Sequence, residues 1–243
     1  MTSFDAPFTA PRARNVARGA AVDAWEAAAL GDVEQLCAIL DRSPEALFER
    51  RANSAPPLHF AATIDVARLL VDRGAPLDVV DKYGATAARA AAYGPRVRRP
   101  VAKFLMEESR ERDPWLLAAI DDAGALLALA RAGVNVTSAL RDGLNPADGI
   151  GEMPIHTAAA LGNVAAVEAL LACGADPNAL VPGSGTRPLH YAARSGSRTV
   201  VDALLAAGAD PRLTDHTRHA MASDWARFFA HFGLAGYLEL AEV

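Results

Sequence analysis

One stretch of this chain occurs twice. Pro154-Ile155-His156, Ala158-Ala159, Gly162, Leu170-Leu171 and Gly174-Ala175-Asp176 return as Pro188-Leu189-His190, Ala192-Ala193, Gly196, Leu204-Leu205 and Gly208-Ala209-Asp210, with His190 standing 34 residues after His156. A unit this short cannot enclose a core of its own. It buries its apolar side only by stacking on copies of itself, so a period in this range dictates a quasi-one-dimensional array.

Within the unit a Pro-hydrophobe-His turn opens one short helix and a Leu-Leu pair closes a second. This resembles the ankyrin repeat, whose unit runs about 33 residues. The resemblance implies an all-α solenoid of stacked helix-turn-helix units, with β-turn or loop fingers projecting between them. Fainter copies extend it. Ala27-Ala28-Ala29, Gly31-Asp32 and Ile39-Leu40 give two amphipathic segments and read as an N-terminal cap over 22–50. Repeats are then expected at 52–80, 81–111, 113–137, 148–180 and 182–214, and a C-terminal cap at 215–243, about seven units in one domain. In the unit opened by Pro57-Leu58-His59 too few residues separate Ala61 from Leu70 for a full first helix, so that helix must be cut short. Asp113 is a natural N-cap with Pro114 in the first turn. Asp81-Lys82-Tyr83-Gly84 reads as a fingertip with φ > 0 at the glycine. In the C-terminal cap Trp225, Phe228, Phe229, Phe232 and Tyr237 replace small residues and are expected to seal the open end of the core. A loop is inserted at about 138–147, and 1–21 reads as a flexible tail.

Composition narrows the function classes. Hydrophobic residues make up 51 % of the chain and aromatic ones only 6 %, so the apolar content is mostly Ala and Leu, suited to short helices in close contact. The formal net charge of −5 provides no electrostatic footprint for nucleic acid. No stretch has the apolar length of a membrane span, and residues 1–18 lack an apolar signal core, so a cytoplasmic protein is expected. Cys37 and Cys173, far apart in sequence, read as reduced structural thiols.

Residues able to carry chemistry are few. His59, His156 and His190 share the turn register of the family, which implies that they tie neighbouring hairpins together. The family's usual Thr before Pro-Leu-His is replaced by Pro56, Met153 and Arg187, so the reciprocal Thr–His bond is expected to be missing. Thr86 keeps the Thr, with Arg89 in the His place. His216, His219 and Asp224 are the weak candidates for a metal site. Asp142, Asn145 and Asp148 do not match a calcium loop. Arg96, Arg98 and Arg99 read as a solvated basic face, and no cofactor is expected. The resemblance places partner contacts at the fingertips and at the pair following Ala-Ala on the inner helix. Carried over, it marks a concave protein-binding face of Lys82, Tyr83, Tyr93, Ile150, Glu152, Ala160, Leu161, Ser184, Thr186, Arg194, Ser195, His216, Thr217, His219 and Arg227. A protein-binding adaptor is the expected function. The alternatives are a small or metal-dependent enzyme using the groove as a pocket, and an immunity or inhibitor subunit.

Overall fold

A computed structural model describes residues 22–50, 55–93, 97–137 and 152–242. The expected tail at 1–21 and inserted loop at 138–147 lie outside the described residues, as do Arg96, Asp142, Asn145, Asp148 and Ile150. The described residues form thirteen α-helices, two 3-10 turns and no strand. They fall into two compact units, Met1–Glu111 and Arg112–Val243, which part between two repeats.

The first unit holds α1 (Ala24–Leu30) and α2 (Val33–Arg42), followed by the 3-10 turns Pro44–Leu47 and Pro57–Phe60. It continues with α3 (Ile64–Asp72), α4 (Ala87–Tyr93) and α5 (Arg99–Ser109). The turn between α1 and α2 follows from its residues: Gly31 takes φ 80°, and the Asp32 carboxylate accepts from Gln35 N at 2.9 Å as an N-cap. The second unit holds four helix pairs: α6 (Pro114–Ile120) with α7 (Ala123–Arg131), α8 (Pro154–Ala160) with α9 (Val164–Ala172), α10 (Pro188–Ser195) with α11 (Arg198–Ala206), and α12 (Ala222–Phe228) with α13 (Phe232–Ala241). First helices pack in one row, α6 on α8 on α10 on α12. Second helices form the other row, α7 on α9 on α11.

Alanine makes the rows possible. Ala27, Ala28, Ala61, Ala91, Ala92, Ala118, Ala119, Ala158, Ala159, Ala192, Ala193 and Ala226 are all at most 1 % exposed, and in a close-packed interior so small a side chain lets neighbouring helices approach closely. Leu36, Leu70, Leu105, Leu126, Leu170, Leu204 and Leu238 fill the layer behind them. Each such leucine contributes on the order of 2 kcal/mol of hydrophobic stabilisation. Side-chain bonds tie the pair α6 and α7 to the pair α8 and α9. Asn163 Nδ2 donates to the carbonyls of Ala118 and Ala119 at 2.8 Å, Ala166 N donates to Asp121, and Trp115 Nε1 donates to Glu152 O at 3.1 Å.

The shortened unit is as expected, its first helix reduced to the 3-10 turn Pro57–Phe60. Missing turns leave carbonyls without amide partners, and Arg98 supplies them. Its guanidinium donates to Ala61 O (2.7 Å), His59 O (3.0 Å) and Ala90 O (3.2 Å). Arg98 is therefore turned inward, contrary to the solvated face expected for it, and burial pushes its pKa down.

The three turn histidines work as latches. Nε2 of His59, His156 and His190 lies 3.0, 3.0 and 3.1 Å from the carbonyls of Ala85, Ala179 and Ala220, in the turns that follow each repeat. Half of the reciprocal bond survives without the Thr: Met153 N donates to His156 Nδ1 at 3.0 Å and Arg187 N to His190 Nδ1 at 3.2 Å. Pro56 has no N–H to give. His59 Nδ1 is accordingly buried with no partner. In the next repeat Thr86 and Arg89 both reach Glu111 at 3.4 Å, so an ion pair replaces the latch.

Candidate partner-binding face

In the first unit the finger closes on Asp81. Its carboxylate accepts from the amides of Tyr83 and Ala85 at 2.9 Å, while Gly84 adopts φ 77°. This geometry turns Lys82 and Tyr83 out at the tip, with the ammonium 4.8 Å from the centre of a ring that is 63 % exposed. Tyr93 ends α4 and is also exposed.

In the second unit Asp215 organises the last finger. It is fully buried and accepts from Thr217 N, Thr217 Oγ1, Arg218 N and Trp225 Nε1. Burial alone would push its carboxyl up. The Arg218 amide, the Trp225 indole and Thr217 outweigh it and hold the group below the usual carboxylate range. His216 lies against Gly185, whose φ is 69° and where any Cβ would collide with the imidazole. His219 takes the equivalent left-handed place 34 residues on, at φ 53°. His216, Thr217, Arg218 and His219 are exposed.

The remaining candidates divide by burial. Thr186 is buried, its hydroxyl 2.7 Å from that of Ser184. Glu152 accepts from the Tyr191 hydroxyl; burial first and Glu152 second push that phenol well above its ordinary value. Leu161 and Ser195 are half-buried, and Arg194 is exposed with its guanidinium 5.2 Å over the Tyr191 ring. Arg227 is tied to Asp224 at 3.2 Å and also to Glu239. Asp224 caps α12 by accepting from Met221 N. Among the described residues no group of three His, Cys, Asp or Glu side chains is placed to hold a metal ion, so His216, His219 and Asp224 are not gathered into one.

The aromatic cap departs from expectation. Phe228, Phe229 and Phe232 are 69, 42 and 68 % exposed, and the core beneath them is closed by Ala222, Ala226, Leu234, Ala235 and Leu238. The register explains it. The pair 34 residues after Arg194 and Ser195 is Phe228 and Phe229, on the same row of the inner helices, whereas Arg227 follows Ala193. The repeat offset, applied through α12, is the signal that would have found both phenylalanines.

Family models for ankyrin repeats match residues 115–215, as three copies, and residues 55–82, as a single repeat. The fold agrees. The crystal structure of the human ASB11 ankyrin repeat domain superposes with a TM-score of 0.56 and 21 % identity, covering 88 % of this chain and 97 % of that one. The chain is an ankyrin-repeat protein. No curated protein sequence matches it. Ankyrin-repeat proteins are in general protein-interaction modules. In this ankyrin-repeat protein no helix among the described residues is long and apolar enough to cross a membrane.

Proposed function

We infer that this ankyrin-repeat protein is a non-catalytic adaptor that docks a protein partner through the inner-helix and finger positions of its units. One observation carries the reading. The positions that hold the fold are occupied by satisfied or buried groups, whereas the variable positions present Lys82 and Tyr83 outward in the first unit and Arg194, Phe228 and Phe229 outward in the second. Aromatic and Arg side chains are what interface hot spots use. Leu161, Ser195, His216, Thr217 and His219 border them. Of the turn histidines, His156 and His190 are engaged at both nitrogens and are not free for acid-base work. The free cysteines Cys37 and Cys173, both half-buried, support a reducing, cytoplasmic setting.

The test places a photo-crosslinking residue at 83, 161 or 194, and at Glu168 on the exposed side of α9, in the native host. Covalent adducts of one size at the first three positions and none at 168 are expected. Adducts only at 168 would overturn the reading. With the captured partner, Tyr83→Ala combined with Arg194→Glu should weaken binding at least thirtyfold, since losing one aromatic anchor costs ~2 kcal/mol. Glu168→Lys should leave it unchanged.

A further inference from the structure

An unbroken aromatic track crosses the inner row of the second unit. Tyr191 and Trp225 have ring centres 6.3 Å apart, Trp225 and Phe229 6.3 Å, and Phe229 and Phe228 5.1 Å. A guanidinium stands over each end: Arg194 is 5.2 Å from the Tyr191 ring and Arg218 is 5.2 Å from the Phe228 ring. Both cations are exposed, and among the described residues neither is paired with a carboxylate. The acids beside the track are already engaged, Asp215 by four donors, Glu152 by Tyr191, and Asp224 by Met221 N and Arg227.

Among the described residues no carboxylate meets the two cations, and at the Arg218 end the rings of Phe228 and Phe229, 69 and 42 % exposed, lack an apolar cover, whereas Tyr191 is buried and Trp225 half-buried. Resting on the adaptor reading above, we propose that this track takes an acidic partner segment, in which an apolar side chain lies on Phe228 and Phe229 between carboxylates that meet Arg194 and Arg218. A guanidinium already held over a ring is pre-organised, so less side-chain entropy is lost on pairing with a carboxylate. The steps along the track set an upper limit on the length: no more than about eight extended residues, at ~3.4 Å each, are needed to reach from one guanidinium to the other. The rest of the protein favours the same selectivity. With a net charge of −5, an acidic segment is attracted only where cations are locally unpaired, which fixes its register.

The experiment is a selection of displayed random twelve-residue peptides against the full chain and against Arg194→Glu/Arg218→Glu. Both side chains are exposed, and the structural bonds of these residues are made by their backbones, so the variant folds; circular dichroism checks this. Peptides enriched by the wild-type chain should carry Asp or Glu on both sides of an aromatic residue or Leu. They should bind the variant at least tenfold more weakly, weaken with rising salt, and lose binding on Phe228→Ser. The variant should enrich Lys and Arg in their place. Enriched peptides without acidic bias, or no enrichment, overturn the proposal. Binders lost on Leu161→Arg but indifferent to the charge reversal overturn it while leaving the adaptor reading standing, whereas binders indifferent to every face substitution count against both. A chain that sediments as a dimer and becomes monomeric on Phe228→Ser would assign the track to a second copy and overturn it, as would preferential binding of a labelled single-stranded oligonucleotide.

Discussion

His59, His156 and His190 occupy the same register, yet only His59 has a nitrogen without a partner, because the residue that should donate to it is Pro56. Pro56 has ψ 169°, near the 161° and 166° of Met153 and Arg187, so a residue bearing an N–H fits there without moving the backbone. Pro56→Thr should therefore stabilise the chain by about 1 kcal/mol, the worth of one hydrogen bond, reduced a little by the added freedom of the unfolded chain. Urea denaturation reads it, and an unchanged or lower midpoint contradicts it. The substitution of the Thr was plain in the sequence, but the survival of half the bond at Met153 and Arg187 was not, since backbone amides leave no mark in side-chain identity. The burial of these histidines sets a pH dependence. Burial, foremost, lowers His156 to about 4, and lowers His59 and His190 as well. Between about 6.5 and that value the unfolded chain binds a proton that folded His156 refuses. Stability should thus fall as pH drops through this window, by up to about 1.4 kcal/mol per pH unit for each such histidine, and level off below it. Urea midpoints at pH 7.5 and 5 measure the fall, and His156→Gln should flatten it.

Among the elements, the 3-10 turn Pro57–Phe60 is only four residues long and depends on a residue far along the chain. Arg98→Ala leaves the carbonyls of His59, Ala61 and Ala90 without their donor, and hydrogen bonds to a charged group are worth ~1.5–3 kcal/mol each before compensation by water. A loss of about 2–4 kcal/mol is expected, with hydrogen exchange quickened first at residues 57–67. Uniform exchange across the first unit would show that Arg98 does not support the turn. The short helix was readable from the ten-residue run from Ala61 to Leu70, both included. Its support was not, because an Arg between Val97 and Arg99 looks like any surface cation until the missing carbonyl partners are counted. The aromatic helix α12 was misjudged for a related reason. Large apolar residues at the end of a stack suggest a seal, whereas the 34-residue offset puts Phe228 and Phe229 in the outward places of Arg194 and Ser195.

For the molecule as a whole, the alanine and leucine rows were written in the repeats, and capping by Asp113 could be placed to the residue. What each face presents depended on register summed over several repeats, and drifted at the degenerate end. Deleting Asp215–Val243 removes α12, which packs on α10, together with the Ala220 carbonyl held by His190. Size-exclusion chromatography should show the shortened chain aggregating; a soluble helical monomer would make the last pair dispensable. The latches also share a direction. Each histidine grips a carbonyl 23 to 30 residues later in the chain, never earlier. On a ribosome, then, every newly emerged histidine waits for the following turn before it can close, and the repeat nearest the exit is always the one still open.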